Sequence, residues 1–143
     1  MTKVDFYTGL PNKLHTVCQL SNKAMQSGIR TVISVPDEAM LDALDKLLWR
    51  YPPVSFTPHC RSDDVLAEQT PVLLHHGDAP LLAHHLLISL HPDPMPFFSR
   101  FERVIELVGT DKEDIHLGRL RYKFYRDRGY ELSNTDLSKG ASK

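Results

Sequence analysis

The sequence predicts an α/β domain: a single, mostly parallel twisted sheet with helices on both faces. Three observations carry this. Short apolar runs at 31–35, 71–75, 86–90 and 103–108 are continuous rather than alternating, as strands buried on both faces are. Segments with helical spacing stand between several of them, and strand-helix alternation implies right-handed crossovers onto a parallel sheet. The composition, 41% hydrophobic and 24% charged over 143 residues, is that of a globular chain long enough for one self-sufficient core. The expected division is one domain over residues 1–135 and a polar C-terminal tail over 136–143.

Val4 to Thr8 reads as the first strand, with Val4 and Phe6 on one face. Gly9-Leu10-Pro11-Asn12 is a turn, and Asn12 has the side chain of an N-cap. Leu14, Val17, Cys18, Leu20, Ala24 and Met25 then recur with helical spacing over 13–26, ended by Ser27-Gly28. Thr31 to Val35 is a buried strand, and Pro36-Asp37-Glu38 opens a helix that runs to Leu48 or Trp49. Phe56 to His59 is extended, Cys60 to Gln69 reads as a loop, and Pro71 to His75 is a strand. Leu86 to Leu90 is a strand, Pro92 to Phe98 a proline-broken crossover, and Arg103 to Val108 a further strand. A basic helix follows.

Composition and motifs exclude several functions. A formal net charge of -1 argues against a general nucleic-acid coat protein, so an anion site must come from local clustering. The turn Thr8-Gly9-Leu10-Pro11-Asn12 has one glycine and a proline, and matches neither a dinucleotide fingerprint nor a phosphate loop. The outcome is a nucleotide-binding-like shape without that loop, and no cofactor is expected. Cys18 and Cys60 form no disulfide framework or zinc spacing, which suits a reducing, cytoplasmic setting. Neither a signal peptide nor a run of membrane-spanning length is evident. His75-His76 and His84-His85 invite a metal reading, but neighbours on a strand point to opposite faces and no familiar ligand spacing appears. Asp5 and Asp37 could serve a small enzyme, yet there is no nucleophile elbow or paired-carboxylate motif.

The richest segment begins at Arg119. Between Arg119 and Gly129 stand five cations and one acid, with Tyr122, Phe124 and Tyr125 threaded among them. At about 100° per residue, Arg119, Tyr122, Lys123 and Arg126 share one helix face, and Ile115 falls on the same side. Leu117, Leu120 and Phe124 fall opposite and are expected to pack into the core. Gly129 stands where a C-terminal cap glycine belongs. From the residues alone, a solvated charged face and a stripe binding an acidic ligand are both open. Direct single-stranded nucleic-acid binding has the right chemistry, aromatic rings beside cations, but the net charge weighs against it.

Leu44-Asp45-Lys46-Leu47-Leu48-Trp49, Phe56-Thr57-Pro58-His59, the Leu87-Ile88-Ser89-Leu90 strand, and Arg121-Tyr122-Lys123-Phe124-Tyr125-Arg126 before a Gly-aromatic pair occur in that order. Together they resemble the chi subunit of bacterial DNA polymerase III holoenzyme, over nearly the whole chain to about Ser133. The resemblance implies a non-catalytic accessory subunit that ties the clamp loader to single-stranded-DNA-binding protein by binding its acidic C-terminal tail. It implies Arg119 for the terminal carboxylate, Tyr122 for ring contact, and Lys123 and Arg126 for the tail's aspartates, with nucleic acid engaged mainly indirectly. A family lysine about one turn upstream is replaced here by Ile115 and His116, and Ile115 would serve the ring pocket.

A second surface is implied around Trp49 and Phe56, for the psi subunit where one is present, or a helicase. The same two aromatics read equally well as core residues.

Overall fold

The computed structural model describes residues 2–50, 59–61, 72–75, 85–94 and 98–137. Seven strands form one sheet: β1 Lys3–Leu10, β2 Thr31–Ser34, β3 His59–Arg61, β4 Val72–His75, β5 Leu86–Ser89, β6 Arg103–Gly109 and β7 Glu131–Asp136. Their order across it is β3-β4-β2-β5-β6-β1-β7, and all six neighbouring pairs are parallel. The helices are α1 Lys13–Gln26, α2 Glu38–Arg50 and α3 Lys112–Asp127, with a 3₁₀ turn at Phe98–Arg100.

The helix ends follow local chemistry. Asn12 Oδ1 accepts from the His15 N–H at 3.1 Å, and Asp37 Oδ1 from the Met40 N–H at 2.8 Å. Gly28 and Gly129 have φ of 75° and 79°, so each helix ahead of them closes without steric cost. After α1 the Ile29 N–H returns to Ala24 O and the Gly28 N–H to Met25 O, and after α3 the Tyr130 N–H returns to Tyr125 O and the Gly129 N–H to Arg126 O, each the bond pair of a Schellman cap.

The sheet alternates its side chains into two cores. Val17, Cys18 and Ala24 of α1 and Leu41, Leu44 and Leu48 of α2 pack on Ile33, Leu74, Ile88, Ile105 and Leu107. On the other face Tyr125 of α3, with Phe98 and Phe101, packs on Val4, Phe6, Val32, Leu73, Leu87 and Val104. Helices therefore cover both faces, as the sequence predicts.

Two expectations are corrected, and one further strand appears. Cys60 and Arg61 belong to strand β3 rather than a loop, because their backbone pairs with Leu73 and Leu74. The segment after Gly129 is a seventh strand, β7, laid parallel to β1 from Lys3–Glu131 to Thr8–Asp136. It was hidden because only Leu132 in it is apolar, and its stability comes from backbone pairing at a sheet edge. The inward face of α3 is centred on Gly118, Arg121 and Tyr125, which are buried; of the expected stripe Leu117, Leu120 and Phe124, Phe124 packs on the core edge against Phe98, while Leu120 is 52% exposed.

Candidate functional site: a cation-lined groove at the switch point

Strands β6 and β1 are neighbours, but the chain leaves them for opposite faces. From β1 it enters α1 on one side of the sheet, and from β6 it enters α3 on the other. Such a divergence opens a crevice beyond the carboxyl ends of the strands. Here it holds a groove of about 680 Å³. Thr8 and Gly9 of β1, Val108 and Gly109 of β6, and Asn134 and Asp136 of β7 form one side, and α3 forms the other.

All five residues expected to bind an acidic tail, Ile115, Arg119, Tyr122, Lys123 and Arg126, line this groove. The Tyr122 ring lies 5.2 Å from the Phe6 ring, so its apolar face is partly sheltered, and Phe6 also reaches the groove. Ile115 is half-buried, while Arg119, Lys123 and Arg126 are exposed on the rim. The arrangement is an apolar base with three exposed cations along one wall, suited to a ligand with an apolar group beside negative charge. Asp136 lines the same groove from the strand side and opposes those cations.

Two supports fix the helix wall. Asp114, in the first turn of α3, accepts from the Gly109 N–H at 2.5 Å and pairs with Lys13 of α1 at 3.1 Å. Burial pushes its carboxyl up, but those partners outweigh burial and hold it below the ordinary value of 3.8. Beneath the helix, Arg121 Nε donates to Glu106 Oε1 at 2.9 Å and its two other nitrogens donate to Pro92 O and Leu107 O. The Tyr125 hydroxyl donates to Glu106 Oε2 at 2.5 Å. Burial raises the Glu106 carboxyl above its ordinary value, while Arg121 and Tyr125 oppose that rise.

The sequence reading missed this buried cluster and the strand wall of the groove. Glu106, an acid inside the apolar run Val104-Ile105-Glu106-Leu107-Val108, was a signal that a buried partner exists. Thr8, Asn134 and Asp136 carried no comparable signal.

The other sequence candidates fall elsewhere. Asp5 is buried with Arg103 at 2.5 Å and accepts from Ser133, and Asp37 caps α2, so both carboxylates hold structure together. His75 is buried, and His91 Nε2 meets Ser34 Oγ at 2.9 Å. Among the described residues no group of three or more His, Cys, Asp or Glu side chains comes together. No helix of the described residues is long and apolar enough to cross a membrane. Trp49 falls in the last turn of α2, but its side chain and the whole of Phe56 lie outside the described residues.

Fold and groove define the class first: a parallel α/β domain without a phosphate-binding turn, whose switch point is lined by a basic helix. The family described as DNA polymerase III chi subunit, HolC, matches residues 1–133. Relatives named DNA polymerase III subunit chi agree along most of their length. The Pseudomonas aeruginosa protein is 33% identical over 142 residues, covering 96% of this chain and 98% of its own. The Haemophilus influenzae protein is 31% identical over 121 residues, covering 84% of each chain. The Escherichia coli protein is 30% identical over 126 residues, covering 87% of this chain and 86% of its own. The chain belongs to the DNA polymerase III chi subunit family, a family of replication accessory subunits.

Proposed function

We propose that this chain is a non-catalytic, cytoplasmic adaptor of the DNA polymerase III holoenzyme, linking the clamp loader to single-stranded-DNA-binding protein by holding that protein's acidic C-terminal tail. One observation carries the reading: Ile115, Arg119, Tyr122, Lys123 and Arg126 line a single groove with an apolar base. A tail that ends in acidic residues, an apolar pair and a free carboxylate needs that combination. Arg119 takes the carboxylate, because a guanidinium can fork to both oxygens. Tyr122 and Ile115 contact the terminal ring, while Lys123 and Arg126 attract the aspartates. Ile115 and His116 stand where the family has a lysine, which removes one cation, and Ile115 adds apolar surface to the pocket. The second contact, to psi or to a helicase, is assigned to Trp49 and Phe56 on the family resemblance.

Calorimetric titration with the tail peptide tests the reading, with the terminal carboxylate free and amidated. Binding is expected for the free acid and a large loss on amidation. Arg119→Ala is expected to weaken binding by about 1.5–3 kcal/mol, the worth of a hydrogen bond to a charged group, with the fold intact. A folded Arg119→Ala protein with undiminished affinity would remove Arg119 from the role.

A further inference from the structure

The face that α3 buries is not the face its hydrophobic pattern favours. At about 100° per residue, Leu117, Leu120 and Phe124 form one stripe, and an amphipathic helix would turn that stripe to the sheet. Instead α3 buries Gly118, Arg121 and Tyr125, packs Phe124 at the edge of that core against Phe98, and leaves Leu120 half in solvent. The groove residues Ile115, Arg119, Tyr122, Lys123 and Arg126 flank the buried face on the side away from Leu120. A roll of roughly 100° toward the leucine stripe would carry these side chains out of the groove.

The contacts opposing that roll are polar and specific. Glu106 is completely buried in the middle of β6, and Arg121 is its ion-pair partner. Arg121 also reaches Pro92 O beyond β5 and Leu107 O on β6, so its planar fork is fixed at three points. Tyr125 adds a bond to Glu106 one turn further on. A buried ion pair of this kind contributes little net stability against apolar replacements, but it can fix one register among competing ones.

We infer that the buried Glu106–Arg121–Tyr125 cluster sets the rotational register of α3 against the helix's own hydrophobic pattern, and so decides which side chains the groove presents. These are positioning residues, since none of the three lines the groove. The part of the inference that concerns ligand affinity rests on the proposed tail recognition. The part that concerns helix register does not.

The test replaces the cluster with apolar groups, Glu106→Leu, Arg121→Met and Tyr125→Phe together, and reads register and binding separately. Register is read by thiol labelling of Leu120→Cys, with Cys60→Ser to remove the thiol of β3. Cys18 is silent there, because it is buried and burial pushes its thiol up to about 11. The triple variant is expected to fold, to label at position 120 about tenfold more slowly, and to lose about tenfold or more in tail affinity through lost preorganisation. Placing Leu120→Gln in the triple variant makes the rolled register unfavourable and should recover much of the affinity. The same substitution in the wild-type chain should change little. A folded triple variant with wild-type labelling and wild-type affinity overturns the inference. If the triple variant does not fold, Arg121→Lys takes its place: it keeps the charge and loses the fork, and unchanged labelling and affinity there are equally fatal. A wild-type protein that binds no tail peptide defeats the proposed function, and labelling still decides the register.

Discussion

Gly118 sets how closely α3 approaches the sheet. A Cβ on it would stand 2.7 Å from Val108 Cγ2 and 3.2 Å from Cγ1, and the short, branched valine has little room to turn aside. Gly118→Ala should therefore push α3 outward. Alanine favours a helix over glycine by about 1 kcal/mol, and overpacking costs about 1–3 kcal/mol, so a net loss of about 1 kcal/mol is expected. Urea denaturation measures it, and a variant as stable as wild type would show that the valine yields. Glycine in a helix normally weakens it, and the sequence offered no reason for this one. The reason lies in a strand ten residues earlier, which periodicity within the helix does not contain.

Helix ends could be read from single residues because their chemistry is local. Asn12 and Asp37 accept from amides three residues ahead, and Gly28 and Gly129 supply the left-handed turn that closes a helix. Strand β7 and the buried face of α3 could not, since one depends on backbone pairing with β1 and the other on a charge hidden in β6. The start of α3 shows the same dependence. Asp114 ties the first turn of α3 to Gly109 at the end of β6 and to Lys13 on α1. Its carboxyl sits below the ordinary value, so the folded protein holds that proton less tightly than the unfolded chain. The stabilisation is thus present above the unfolded value of about 3.9 and is lost as pH falls through the lower folded value. Asp114→Asn should cost about 1–2 kcal/mol at pH 7, with partial exposure holding it to the low end for a charged bond. The gap to wild type should narrow at pH 3, as chemical denaturation at the two pH values would show. A gap as wide in acid as at neutrality would mean that shape, not charge, is what Asp114 supplies.

Across the whole molecule, a chain of net charge -1 gathers three exposed cations on one wall of one groove. The helix wall was visible in the sequence because Arg119, Tyr122, Lys123 and Arg126 are close together and periodic. The strand wall was not, because Thr8 and Asn134 become neighbours only when β7 pairs with β1, where Thr8 Oγ1 meets Asn134 Oδ1 at 3.3 Å. Asp136 ends that wall, a negative charge in a groove proposed to take an acidic peptide. If the groove takes that peptide, Asp136 would hold the ligand's aspartates to the helix side, toward Lys123 and Arg126, at some cost in affinity. Asp136→Asn should then tighten tail binding about two- to fourfold at low ionic strength, the size expected for one exposed charge interaction. The gain should disappear near 1 M salt, where the screening length falls to about 3 Å. Titrations of both proteins across that salt range separate charge from shape. A gain that persists in high salt would mean that Asp136 acts by occupying space, and a loss of affinity would mean that it helps to hold the ligand or the groove wall.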